Sequence, residues 1–206
     1  MGEKVDSIAS ALDGRHIVKT SALRDAGVRH QAIADAIATG RLFLIASGLV
    51  ATPEAYSDHR LEMATACHRT GGVVANLSAA VWHDLCDATP AQLELIVPWE
   101  VTRAPRGLAL DLMRSRNARS LTEGVETAIV HGLELRVTDP TRTIVDLYRI
   151  SPQSNRQHAV AALTTYLRDD RSVDALYRCA TAFNTWDALR PEVEAILETL
   201  SRGVKP

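Results

Sequence analysis

Lysine is nearly missing from this chain: three lysines stand against twenty arginines. Part of that imbalance reads as a high-GC coding bias. It has one chemical consequence, because no lysine lies between Lys19 and Lys205. A two-metal nuclease uses clustered carboxylates and usually a lysine beside them. Here Glu123, Glu126, Glu134, Asp139 and Asp146 form no such array. Cysteine is scarce too. Cys67, Cys86 and Cys179 are too few and odd in number for a disulfide framework. A reducing, cytoplasmic setting is the natural expectation.

Other absences narrow the field further. The longest apolar run, Leu42–Ala51, is broken by Ser47 and Gly48 and is too short to span a bilayer, and no signal-peptide pattern opens the chain. No membrane partner is expected. No sign of charge dominates, since the formal net charge is −2. That excludes a surface that is basic throughout and directs attention to local charge. The sequence has no glycine-rich phosphate loop, no Gly-x-Ser-x-Gly elbow, and no Gly-Ser followed by Asp-x-Asp. The expectation is a protein that is not an enzyme, with no catalytic residue and no cofactor.

Two constellations look chemical and are discounted. Cys67, His68, His83 and Cys86 include a His-x-x-Cys spacing that suits zinc. Adjacent residues on a helix diverge by about 100°, and a cysteine in an apolar helix is usually a small buried hydrophobe. No metal is expected. Trp82-His83-Asp84 reads as a core tryptophan with two surface polar neighbours, because consecutive helical residues do not face each other.

What is present is enough apolar material for a sizeable core, 46 % of 206 residues. The first segment runs to about Tyr56. Val5, Ile8, Ala9 and Leu12 repeat at helical spacing and stop at Asp13-Gly14. Ile17-Val18 reads as a short link. A second helix extends through Ala26, capped by Thr20 or Ser21. Gly27 closes it. A third helix spans about 29–39 and stops at Gly40. "RLFLIASGLVAT" then reads as a hairpin with its tip at Ala46-Ser47-Gly48.

That order, three helices and a hairpin, predicts a winged helix-turn-helix over residues 1–56. In such a motif the second helix of the pair enters the major groove, and its first residues meet base edges. Ile33 and Ile37 face the core. Arg29 and His30 sit at the helix start, and Gln31 points outward with Asp35. Gln31 suits an adenine edge, and Arg29 suits a guanine or a phosphate. Lys19, Thr20, Arg24 and Arg41 are placed to hold backbone phosphates. Residues 14–45 carry five Lys/Arg against two Asp, a local charge of +3.

Residues 57–206 predict a second, mixed domain. Two helices ("SDHRLEMATACHRTG", ending at Gly71, and "NLSAAVWHDL") precede three alternating segments, "QLELIVPW", "GLALDLMRSR" and "GLELRVTDP". These predict a small sheet over about 92–138. Asp139-Pro140 opens a run of helices over about 140–201. The whole chain is thus expected to be α+β. Residues 103–120 hold Arg103, Arg106, Arg114, Arg116 and Arg119 against one aspartate. They are a candidate second contact for nucleic acid or an acidic partner, or else a charged edge strand that discourages sheet pairing.

Taken together, "SGLVAT", Ser78-Ala79-Ala80 with His83, the strand "LELIVP", and Gly132-Leu133, Thr138, Pro140, Arg142-Thr143 and Asp146-Leu147 resemble the AbiEi family of antitoxins. That family, with its MenA-like relatives, is the antitoxin half of type IV toxin–antitoxin pairs. The resemblance covers roughly residues 8–150. It implies an N-terminal DNA-binding domain that represses its own promoter at inverted repeats, as a monomer or homodimer. It also implies a C-terminal domain tied to neutralising a cognate nucleotidyltransferase toxin. The alternative is an interaction module that neutralises the toxin by direct binding with no DNA role. The chain departs from the family pattern at Arg29, where a capping Ser is frequent, and at Asp84, where a Gly is common. Arg142 and Asp146, four apart on one helix, are read as a structural bridge.

Overall fold

The computed structural model of the chain describes residues 3–150 and 156–203, with the side chains of residues 3–7 outside the description. Val5 of the first apolar stripe therefore lies outside the described side chains. The architecture is α+β, as expected from the sequence. The first elements are α1 (Glu3–Leu12), β1 (Ile17–Lys19), α2 (Thr20–Asp25), α3 (His30–Ala38), β2 (Phe43–Ala46) and β3 (Leu49–Ala51). Then come α4 (Pro53–Tyr56), α5 (Leu61–Thr70), β4 (Val73–Val74), α6 (Asn76–Trp82), β5 (Leu93–Pro98) and β6 (Leu110–Ser115). A 3₁₀ turn at Ala118–Leu121 leads to β7 (Val125–Val130) and β8 (Leu133–Thr138). Helices α7 (Pro140–Arg149), α8 (Arg156–Arg168), α9 (Val173–Ala182) and α10 (Trp186–Gly203) complete the described chain.

Contacts divide these elements into two compact units. The first holds Met1–Gly71, Arg103–Ala109 and Thr127–Leu135, and the second holds Gly72–Thr102, Leu110–Glu126 and Arg136–Pro206. The sequence reading places a single boundary at 56/57. The contact division instead keeps 57–71 with the first unit and adds two later segments to it. Those segments contact residues distant in sequence, which periodicity cannot register.

In the first unit, strands pair antiparallel in the order β1-β3-β2. Ile17-Val18 is therefore not a link but part of a strand, with Val18 opposite Val50. At three residues β1 is too short to show an alternating pattern. Leu23, Val28, Ile33, Ala36, Leu42 and Val50 close one core, each large aliphatic contributing about 1.5–3 kcal/mol by leaving water. The corner between α2 and α3 is fixed by local bonds. The Gly27 amide donates to the Arg24 carbonyl and the Val28 amide to the Leu23 carbonyl, each at 2.9 Å. Gly27 takes φ +86°. This is the Schellman closure, in which the residue after the helix must be left-handed, a conformation glycine reaches without a Cβ clash.

The second sheet runs β6-β5-β4-β8-β7, with β5 and β6 parallel and β4 antiparallel to β5. Three of the five strands are legible by alternation. β4 has two residues, too few for a period. β7 is exposed along most of its length, so it shows no apolar face. The helices α6–α10 bury a second core that includes Leu85, Ile144, Leu147, Leu163, Tyr166, Leu176 and Leu189.

Candidate nucleic-acid interface

The helix pair α2–α3 starts without caps. Thr20 and Ser21 do not cap α2: its N-cap is Lys19, with no side-chain hydrogen bond. The Thr20 amide instead donates to the Gly48 carbonyl at 3.0 Å, tying the helix start to the β2–β3 hairpin tip. The N-cap of α3 is Arg29, again with no side-chain bond. Neither helix has an acidic residue in its first turn. At α3 the first backbone N–H groups and the positive end of the helix dipole therefore stay unneutralised, whereas at α2 the Thr20 amide is already taken by Gly48.

Around these starts, Lys19, Arg24, Arg29, His30, Gln31 and Arg41 are exposed, and Thr20 is half-buried. Ile33 is buried and Ile37 half-buried, which leaves the opposite face of α3 open. Lys19, Arg24, Arg29 and His30 make no ion pair or side-chain hydrogen bond among the described residues. The Arg41 Nε donates to the Thr39 hydroxyl at 3.2 Å. Gln31 is not free as the sequence suggests. Its amide nitrogen donates to Asp35 Oδ1 at 2.9 Å, because residues four apart on a helix face each other. That bond uses one amide hydrogen and leaves the other and Oε1 available. It also gives Asp35 a partner.

The five arginines of residues 103–120 do not stay together in one unit. Arg103 and Arg106 belong to the first, and Arg114, Arg116 and Arg119 to the second. Arg119 is engaged: it holds Glu123 through bonds of 2.6 and 2.8 Å. Arg114 and Arg116 lie over the Trp99 ring, 4.3 and 3.8 Å from its centroid. Trp99 had no signal in the sequence, because its role depends on the register of two strands.

The residues that carry the family resemblance are placed otherwise. Ala79 and Ala80 are fully buried. The Glu94 carboxylate accepts from the backbone amides of Leu77 (2.7 Å) and Ser78 (3.2 Å), and the Ser78 hydroxyl accepts from the Glu94 amide at 3.0 Å. The start of α6 is thus capped reciprocally from β5. Burial holds the Glu94 carboxyl above its ordinary value despite these bonds. His83 is half-buried rather than a surface polar residue, and its Nε2 is hydrogen-bonded to the Thr138 carbonyl at 2.7 Å. The other end of α6 closes at Asp84. Leu85 and Asp84 amides close the same Schellman pattern onto Ala80 and Val81, with Asp84 at φ +54°.

At the start of α7, Asp139 Oδ1 accepts from the Arg142 amide at 2.7 Å. Arg142 is fully buried. Its Nε lies 3.0 Å from Asp146 Oδ2, its Nη1 donates to the Glu123 carbonyl at 2.8 Å, and its guanidinium covers the Phe183 ring at 3.8 Å. Arg149 holds the other oxygen of Asp146 at 2.8 Å. The bridge expected from sequence spacing is present, with Arg149 and Phe183 added to it. A cavity of about 340 Å³ nearby is lined by Glu123, Gly124, Asp139, Thr141, Cys179 and Phe183, among others. Burial pushes the Cys179 thiol up to about 11, so it is no thiolate at neutral pH.

Of the discounted zinc set, Cys67 and His68 lie in the first unit and His83 and Cys86 in the second. No helix among the described residues is long and apolar enough to cross a membrane. No protein-family model matches the chain, and no curated protein matches it either.

Proposed function

We propose that the first unit is a winged helix-turn-helix that binds duplex DNA through α3, and that the chain is the antitoxin of a type IV toxin–antitoxin pair. In this reading it represses its own operon at inverted repeats and counteracts a nucleotidyltransferase toxin in the cytoplasm, without catalysis of its own. The observation that carries the DNA reading is the uncapped start of α3 with exposed cations around it. Lys19 and Arg29 occupy the N-cap positions, no acid stands in either first turn, and Arg24, His30 and Arg41 are exposed around them. A helix N-terminus with free N–H groups and flanking cations favours phosphate. The order α1–β1–α2–α3–β2–β3 with the sheet β1-β3-β2 supports the fold reading, and the resemblance to AbiEi antitoxins supports the role.

One observation favours the rival, a protein-docking module: Leu44 on the hairpin and Tyr56 are 57 % and 53 % exposed. The two are separated by a mobility-shift assay on the chain's own upstream region. Sequence-specific retardation that Arg29→Ala weakens at least tenfold supports the DNA reading. Retardation unchanged by Arg29→Ala and Gln31→Ala removes α3 as the reader. Rescue of growth on co-expression with the neighbouring gene's product tests the antitoxin role.

A further inference from the structure

The parallel pairing of β5 and β6 sets Leu93 opposite Leu110, Leu95 opposite Leu112 and Val97 opposite Arg114. One face of this strand pair therefore carries Leu93, Leu95 and Val97 on β5 and Leu110, Leu112 and Arg114 on β6. Just past the strand ends, Trp99 follows β5 and Arg116 follows β6. Trp99 is 38 % exposed, and both arginines are exposed.

Two guanidiniums at 4.3 and 3.8 Å from one ring centroid lie no farther apart than those distances combined. Neither has a carboxylate or carbonyl partner among the described residues. Glu100 and Asp111, exposed nearby, form no ion pair with them. The ring's negative face attracts each cation, and stacking fixes the planar groups while leaving their N–H edges outward. Two exposed like charges without a counter-charge are relieved by a polyanion that offers each guanidinium its own anionic group. A guanidinium fork fits phosphate oxygens, and a phosphodiester backbone repeats that charge along its length.

We infer that Trp99, Arg114 and Arg116 form an arginine clamp in the second unit that binds the phosphodiester backbone of a nucleic acid without reading its sequence. The site is separate from the proposed reading helix and does not depend on it.

The test uses the full chain and fluorescently labelled 20-nucleotide probes of scrambled sequence, as duplex DNA, single-stranded DNA and single-stranded RNA. Affinity is followed across a salt series. Each lost phosphate contact lowers the log–log salt slope by about 0.9 on duplex and about 0.7 on single strands. Arg114→Gln with Arg116→Gln is expected to lower the slope by about 1.8 or about 1.4 accordingly, on whichever nucleic acid the clamp holds. Arg114→Lys with Arg116→Lys keeps the charge and is expected to keep the slope. Trp99→Leu leaves both charges but frees them, so affinity falls a few-fold at nearly constant slope. The same slope loss in an Arg24→Ala/Arg29→Ala background separates this site from the first unit. An unchanged slope in the glutamine pair overturns the inference. So does displacement of the probe by poly-glutamate as effective as unlabelled nucleic acid, which indicates an acidic protein. Displacement by inorganic phosphate at equal phosphate concentration also overturns it, in favour of a free-phosphate site.

Discussion

Arg29 and Arg142 stand at the starts of two helices and have opposite surroundings. Arg29 opens α3 in the N-cap position, exposed, with no side-chain partner and no acid in the first turn. Arg142 lies in the first turn of α7 behind the Asp139 cap, fully buried, paired with Asp146 and bonded to the Glu123 carbonyl. A buried charge persists only when its partners offset the loss of water. An exposed charge without partners contributes little to stability and remains available to a ligand. The contrast suggests where binding energy is held in reserve: at residues the fold does not use.

The sharpest break of this comparison is to exchange which arginine is removed. Arg142→Met leaves Asp146 half-paired and the Glu123 carbonyl without its donor. It is expected to cost about 3–5 kcal/mol, read as a lowered urea midpoint. Arg29→Ala is expected to move that midpoint by less than about 0.5 kcal/mol. Equal losses in the two variants would erase the distinction.

Next in size is Gly124→Ala. A Cβ there meets the Arg142 Cβ at 2.7 Å, and the backbone is left-handed at φ +60°. A loss of about 1–3 kcal/mol is expected from overpacking, visible as a lower melting temperature. No loss would mean that the Arg142 pocket yields more readily than its contacts indicate. Asp84→Gly tests the left-handed stop of α6. Aspartate tolerates the left-handed region better than most residues and glycine loses more freedom on folding, so the glycine variant is expected to melt higher by less than about 1 kcal/mol of stability.

The smallest effect is a slope with pH. Burial raises the Glu94 carboxyl in the folded chain, so the folded state binds its proton more tightly than the unfolded state. Glu94's contribution to stability is therefore largest at low pH and falls as pH rises from the ordinary glutamate range through the raised value. Stability measured against pH in Glu94→Gln should lack that component. A slope that persists unchanged assigns it to other groups.

Much of this was legible locally. Gly27 and Gly40 mark helix ends, Ser47-Gly48 marks a hairpin tip, and Asp139-Pro140 marks the start of α7, because each signal acts within four residues. Arg142 and Asp146 were readable as a bridge from their spacing alone. The rest depends on partners far along the chain. Nothing near Ser78 announces that Glu94 caps its helix, and nothing near Trp99 announces Arg114 of the next strand and Arg116 just past its end. β1 and β4 are too short to carry a period, and β7 has no buried face to alternate with. The expected Thr20 cap fails because α2 begins at Thr20 itself and Lys19 holds the N-cap position.

The central claim is that the partnerless cations of the first unit, not the hydrogen-bonded residues around α6 and α7 of the second, contact DNA. The most direct measurement is the salt dependence of affinity for the chain's own upstream duplex, compared between wild type and Lys19→Ala/Arg24→Ala/Arg29→Ala. The account predicts a log–log slope lower by about 2–3 in the variant, at about 0.9 per phosphate contact, with an unchanged melting temperature. A slope equal to that of wild type would contradict it.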